Sequence, residues 1–292
     1  MEISVPIILA LGVSGAFAGL LGAVLGIGGG IVIVPSLVLF FGFDIKIAVA
    51  CSLVSVVASS TSASSVYVGK GLANMRLGML LEVATTLGGI AGGLLALVIA
   101  PNLLSGIFGV VMVGIAILTF RKREASAALP TEVTPALGEA AAAVSSGSMD
   151  AGSVSVPDGF LSGVYYDAYR KASVHYRVRN LPLGGAISFV AGVLSGLLGV
   201  GGGFMKVPAM NLGMGVPMKV AAATSNFMIG VTAISSLFVY FAKGLVVPLI
   251  AAPVALGVVG GALVGTSVAQ KISPGSLKKI FAVVLILVAV QM

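Results

Sequence analysis

The sequence predicts an all-α, polytopic membrane protein: two homologous repeats of about four spans each, with a glycine-broken half-helix in each repeat. Three observations predict it. The 292-residue chain is 58% hydrophobic and 9% charged, with a mean hydropathy of +1.17, whereas ordinary soluble domains are roughly 25% charged. Its apolar runs of about 20 residues have the length needed to cross a bilayer. Finally, Gly26-Ile27-Gly28-Gly29-Gly30 and the following Ile31-Val32-Ile33-Val34-Pro35 return 173 residues later, as Gly199-Val200-Gly201-Gly202-Gly203 and Phe204-Met205-Lys206-Val207-Pro208.

The first apolar run, Val5 to Leu25, is too long for a signal-peptide core and lacks its basic flank, so it reads as a membrane helix. The glycines after it are poor helix formers and should break the helix at depth. Ile31 to Phe41 then covers 11 residues, about 16 Å of helix. That is too short to cross a bilayer alone, and a half-helix or re-entrant segment is expected. Phe43-Asp44-Ile45-Lys46 turns the chain, and spans at 47–68, 77–99 and 103–120 complete the first membrane repeat, residues 1–120.

Residues 121–180 break the pattern. They open on Arg121-Lys122-Arg123 and continue through Ala-, Ser- and Pro-containing sequence too poor in bulky apolar groups to form a core. Strand-like content in Phe160–Asp167 and Ser173–Val178 predicts a small hairpin at 160–178. Basic residues at both ends place this linker in the cytoplasm.

The second membrane repeat, residues 181–292, holds the 173-residue register: Lys46 matches Lys219, Ser52 matches Ser225, Tyr67 matches Tyr240, and Gly88 and Gly92 match Gly261 and Gly265. Spans are expected at 185–198, 220–242, 246–270 and 276–292, with 204–214 as the second half-helix. Four full crossings per half would point both repeats the same way. The N-terminus, the 70–76 loop, the linker and Lys243 would then share the cytoplasmic side. Five crossings per half would invert the repeats. The expectation is the first scheme, eight crossings plus two short elements.

Charge and composition exclude several functions. Residues 181–292 hold six lysines and no acid, but basic residues near membrane ends report topology, and no aromatic-basic pattern points to nucleic acid. Single Cys51 and His175 form no metal cluster, no cofactor is expected, and Cys51 reads as a packing residue. There is no nucleophile–base pair, no paired carboxylates and no Walker motif, and neither glycine motif sits in a βαβ unit, so an enzyme is not expected.

What remains is the pair of broken helices, the sequence pointer to a transport site. A helix starting after Gly30 or Gly203 offers free backbone N–H groups and the positive end of its dipole, an anion site. The candidate substrate residues are therefore Gly28, Gly29, Gly30, Gly201, Gly202 and Gly203, with the nearby hydroxyl and amide groups of Ser52, Thr224, Ser225 and Asn226. The contrary reading is that the glycines let helices pack closely and the hydroxyls bond between helices. Lys206 stands where the first repeat has Ile33. A lysine in a span costs about 2.5–3.5 kcal/mol, so it faces a cavity or a partner. Glu82 is the only candidate partner within the membrane, which leaves a structural ion pair as the alternative; the expectation is that a bound anion neutralises it. Glu82 is the only acid in a predicted span; it is the candidate coupling residue, although its place near the span's start also suits an interfacial glutamate.

The glycine motif ending in Val-Pro, its duplication, and the run Lys219-Val220-Ala221-Ala222-Ala223-Thr224-Ser225-Asn226-Phe227 resemble the TauE/SafE sulfite-exporter family, also called the toluene-sulfonate uptake permease family. Tyr165-Tyr166-Asp167 and Val174-His175-Tyr176-Arg177-Val178 add to the resemblance, which covers nearly everything outside about 124–158. It implies transport of sulfite, sulfonates or related organosulfur compounds across the cytoplasmic membrane. The expected function is secondary transport of a small anion. A passive anion channel, or a membrane subunit of a larger complex, are the alternatives. The lipid bilayer and a small anionic substrate are the expected partners; oligomeric state is left open.

Overall fold

A computed structural model describes residues 5–121, 133–134, 161–167 and 172–271. In chain order the helices are α1 (Val5–Leu25), α2 (Gly30–Pro35), α3 (Ile45–Gly69), α4 (Met75–Val98), α5 (Pro101–Arg121), α6 (Leu181–Leu198), α7 (Gly203–Pro208), α8 (Met218–Phe241) and α9 (Pro248–Lys271). Among the described residues six helices, α1, α3, α4, α6, α8 and α9, are long and apolar enough to cross a membrane. The span expected at 276–292 lies outside the described residues. Short α2 and α7 end on Pro35 and Pro208 and run on through one wider turn each, Ser36–Phe40 and Ala209–Gly213. Proline has no N–H for the helical ladder, and a π-type turn absorbs the break. Each short helix with its turn gives the 11-residue half-helix that the sequence predicts.

Directions follow from which backbones touch. A Cβ added at Gly15 or Gly19 of α1 would strike the Val254 or Val258 carbonyl of α9, and one at Gly257, Gly261 or Gly265 would strike Gly12, Ala16 or Leu20. Residue numbers rise together, so α1 and α9 run parallel. The same seam recurs between α4 and α6, where Gly88 meets Phe189, Gly92 meets Val193, Gly192 meets Thr85 and Gly196 meets Gly89. Small residues at both seams let backbones approach, the main source of affinity between helices where lipid is as apolar as the side chains.

The centre behaves differently. Val56 of α3 and Ile229 of α8, related by the 173-residue offset, both pack on Gly28 and Gly201. From there Ser60 reaches back to Asn226 and Gly230, donating its hydroxyl to the Asn226 carbonyl. Numbers rise on one helix as they fall on the other, so α3 and α8 cross antiparallel.

After Leu25 the chain doubles back: Gly22 abuts Gly28–Gly29, and Gly29 abuts Ala18. Residues 26–41 therefore form a fifth, half-unwound crossing between α1 and α3. This corrects the expected scheme of equally oriented halves, because a fifth crossing reverses the second half relative to the first. One end of the bundle gathers the 70–74 loop, the linker strands and residues 211–218. There Asn74 Nδ2 donates to the Leu161 carbonyl (2.8 Å) and to Tyr176 Oη (3.1 Å), and Arg179 N donates to Met214 O (3.0 Å). Burial pushes the Tyr176 phenol above its ordinary pKa, against the opposing Asn74 bond. The other end holds Val5, Asp44–Lys46 and 243–248, tied by Lys46 Nζ donating to Leu97 O (3.0 Å). Lys46 thus caps the C-terminus of α4, where a cation is favoured. Lys243 lies opposite the 70–76 loop, not beside it as expected.

The predicted hairpin is present. β2 (Gly163–Asp167) pairs antiparallel with β3 (Ala172–Tyr176), and β1 (Val133–Thr134) adds to the far side of β3.

Candidate functional site

The two glycine motifs meet at the middle of the bundle. Gly26, Gly28 and Gly29 have φ of 72°, 83° and 77°, and Gly199, Gly201 and Gly202 have 72°, 81° and 71°. Side chains rarely adopt this left-handed region, and glycine enters it freely. Gly30 and Gly203, which start the two short helices, are constrained by space instead. A Cβ at Gly30 would hit the Gly199 carbonyl and Val200 Cα; one at Gly203 would hit the Gly26 carbonyl and Ile27 Cα. The first turns of α2 and α7 therefore converge on each other from opposite sides, backbone against backbone.

Unwinding a helix at depth frees carbonyls that lipid cannot satisfy. The hydroxyls supply the donors, in symmetric pairs. Ser52 Oγ donates to Gly199 O and Ser225 Oγ to Gly26 O, both at 2.9 Å. Tyr67 Oη donates to Ala23 O (3.0 Å) and Tyr240 Oη to Gly196 O (2.9 Å). Ser59 Oγ covers Gly28 O at 2.9 Å, and Asn226 Nδ2 reaches Ala23 O at 3.2 Å. So Ser52, Ser225 and Asn226 stand at the crossing, with their donors turned to backbone. Asn226 Oδ1 and Ser195 Oγ are buried there without a hydrogen-bond partner. Thr224 is elsewhere: its Oγ1 accepts from Asn74 N at 2.9 Å, and its methyl packs on Gly78, at the linker end. The two tyrosines were visible in the sequence only as a matched pair at the repeat offset.

Lys206 and Glu82 form the charged part of the site. Lys206 is 1% exposed and Glu82 is 6% exposed. Lys206 Nζ donates to Thr232 Oγ1 at 2.8 Å; Thr232 Oγ1 donates to Glu82 Oε1 at 2.7 Å; and Nζ lies 3.8 Å from Glu82 Oε2. Thr86 Oγ1 adds a longer bond to Oε1 at 3.3 Å. This corrects two expectations. Glu82 is not interfacial, because its side chain is buried against Lys206 of α7 and Thr232 of α8. Nor is Lys206 left for an anion alone to neutralise. The positions 173 residues away are Ile33, Ser59 and Ala255, so this ion pair between the halves has no symmetry-related copy. Thr86 also lines an apolar groove of about 500 Å³ between α4 and α8, walled by Ile90, Val231, Ile234 and Phe238 on the bundle's outer surface.

Residues 11–292 match the family model described as sulfite exporter TauE/SafE. The chain is 29% identical over 287 residues to the probable membrane transporter protein YunE of Bacillus subtilis, covering 96% of this chain and 95% of that one. A shorter match, 40% identical over 60 residues, links 20% of the chain to 13% of sulfite exporter TauE/SafE family protein 5 of Arabidopsis thaliana. No solved structure matches.

Proposed function

The chain belongs to the sulfite exporter TauE/SafE family of membrane transporters, and on that premise we propose that it is a secondary transporter of a small oxyanion of sulfur, sulfite or a sulfonate. The observation that carries this reading is the meeting of the first turns of α2 and α7. Each brings N–H groups without helical partners and the positive end of a helix to one buried point. Oxyanions are held in this way at helix ends, and broken helices from opposed halves are the form such sites take in transporters. Gly28, Gly29, Gly30, Gly201, Gly202 and Gly203 supply the backbone, and Ser52, Ser225 and Asn226 the polar surround. The parallel pairs α1–α9 and α4–α6 serve as two bodies that rock about the α3–α8 crossing and open the point to each face in turn.

The protein is placed in the cell membrane with the linker end in the cytoplasm. Lys70, Arg76, Arg177, Arg179 and Lys219 gather at that end, against Lys46 and Lys243 at the other, and basic residues favour the cytoplasmic side. Purified protein in liposomes loaded with sulfite or toluenesulfonate should exchange it for the labelled anion outside, with saturable kinetics. Flux that never saturates and shows no counterflow would favour a channel and sink the transporter reading.

A further inference from the structure

The Lys206–Glu82 pair bridges the two halves and has no symmetry-related copy in the site. Burying two charges costs several kcal/mol per ion before attraction repays it, and an apolar replacement often folds as well. This fold contains that replacement: Ile33, Ser59 and Ala255 occupy the equivalent positions without charge. The pair is also incompletely satisfied, since Glu82 Oε2 is buried with no hydrogen-bond partner and sits 3.8 Å from the ammonium. Lys206 is one turn beyond Gly203, on the short helix whose start forms one of the two converging ends.

We infer that this pair couples anion binding to proton uptake. The inference rests on the anion-transport reading above. An incoming monoanion takes the place of Glu82 beside Lys206, and the displaced carboxylate takes one proton from the aqueous phase. Before the step the pair is ammonium and carboxylate; after it the ammonium holds the anion and Glu82 is neutral. One negative charge and one proton enter together, so the occluded site never carries a net charge through the bilayer. A carboxylate left alone there would be far costlier than a carboxylic acid. Thr232 and Thr86 stay within reach of the neutral carboxyl. The surroundings suit this exchange. Lys206 is the charged group facing Glu82 from α7; α6 contains no titratable residue; α4 otherwise holds Arg76, at its first turn. On α8 Tyr240 is engaged with Gly196, and Lys219 lies roughly 20 Å from Thr232 along the helix.

The test uses proteoliposomes with the membrane potential clamped at zero and toluenesulfonate as probe, because its single charge does not change with pH. Sulfite is the second probe, corrected for passive entry into protein-free liposomes. With the outside one pH unit more acidic, wild type should accumulate the probe about tenfold, the ratio one proton per anion allows. Glu82→Gln should lose the pH-driven accumulation entirely, whatever rate of counterflow exchange it retains. Lys206→Gln should lose both. Wild-type counterflow without gradient-driven accumulation would overturn the coupling and leave the transporter reading standing. Absence of counterflow with either probe would overturn both. The wild-type measurement stands alone if a variant does not fold. Gradient-driven accumulation in Glu82→Gln, or in the Glu82→Gln/Lys206→Gln double variant, would reduce the pair to a structural tie.

Discussion

At the scale of single residues, the centre of this protein is governed by hydrogen-bond accounting. Two interrupted helices leave carbonyls in a place without water, and Ser52 and Ser225 answer two of them with matching 2.9 Å bonds. Leaving a buried acceptor unsatisfied costs about 1–3 kcal/mol. Ser52→Ala and Ser225→Ala should therefore each lower the stability of the detergent-solubilised protein by that amount, and by similar amounts, because their surroundings are alike. A thermal unfolding series would check this; a loss in one variant and none in the other would contradict the paired role. These serines were legible as a repeated polar position in an apolar run, though not as donors to the opposite motif. The Lys206–Glu82 contact was legible only by elimination, Glu82 being the one acid in a predicted span; the geometry that joins them was not. The partners are 124 residues apart in sequence, and their meeting depends on how α4 lies against α7 and α8. Glu82 is two turns into α4, about 10 Å from its start, a depth that sequence alone does not separate from the interface.

Helices meet here through glycine, and the seams were half legible. Gly88 and Gly92 matching Gly261 and Gly265 gave away a packing surface, but nothing in the sequence named the partner helix. The structure pairs each with the first helix of the other half. At Gly92 an added Cβ would drive into the Val193 backbone, whereas at Gly106 of α5 it meets nothing within 4 Å. Gly92→Leu should thus wedge α4 from α6 and cost roughly 1–3 kcal/mol or more, as overpacking does. Gly106→Leu should be silent in the same thermal-shift measurement. Equal effects would mean that close approach at the seam does not hold the bundle together. The half-helices were read correctly in length, since 11 apolar residues ending in a turn leave little choice. Their proline-centred wider turns were not anticipated.

For the whole molecule, the 173-residue register was plain in the sequence, but orientation was not. Everything depended on whether residues 26–41 count as a crossing, and periodicity cannot decide that for a segment half unwound. The doubling back of Gly29 onto Ala18 decides it. Exposed Lys70 and Lys243 now lie at opposite ends. In a Cys51→Ala background, cysteine at position 243 should react with an impermeant thiol reagent added outside intact cells. Cysteine at position 70 should react only after permeabilisation. Labelling of both from one side would return the molecule to equally oriented halves.

The seams α1–α9 and α4–α6 also set an order of events during synthesis. Each joins a helix of the first half to one of the second, so neither face of α1 or α4 that carries the glycines can be covered by anything the ribosome has already made. When residues 1–120 are in the bilayer, both faces still contact lipid. α6 must arrive before α4 is enclosed, and α9 before α1 is. The half-finished protein is thus an open clasp, and its last described helix fastens onto its first.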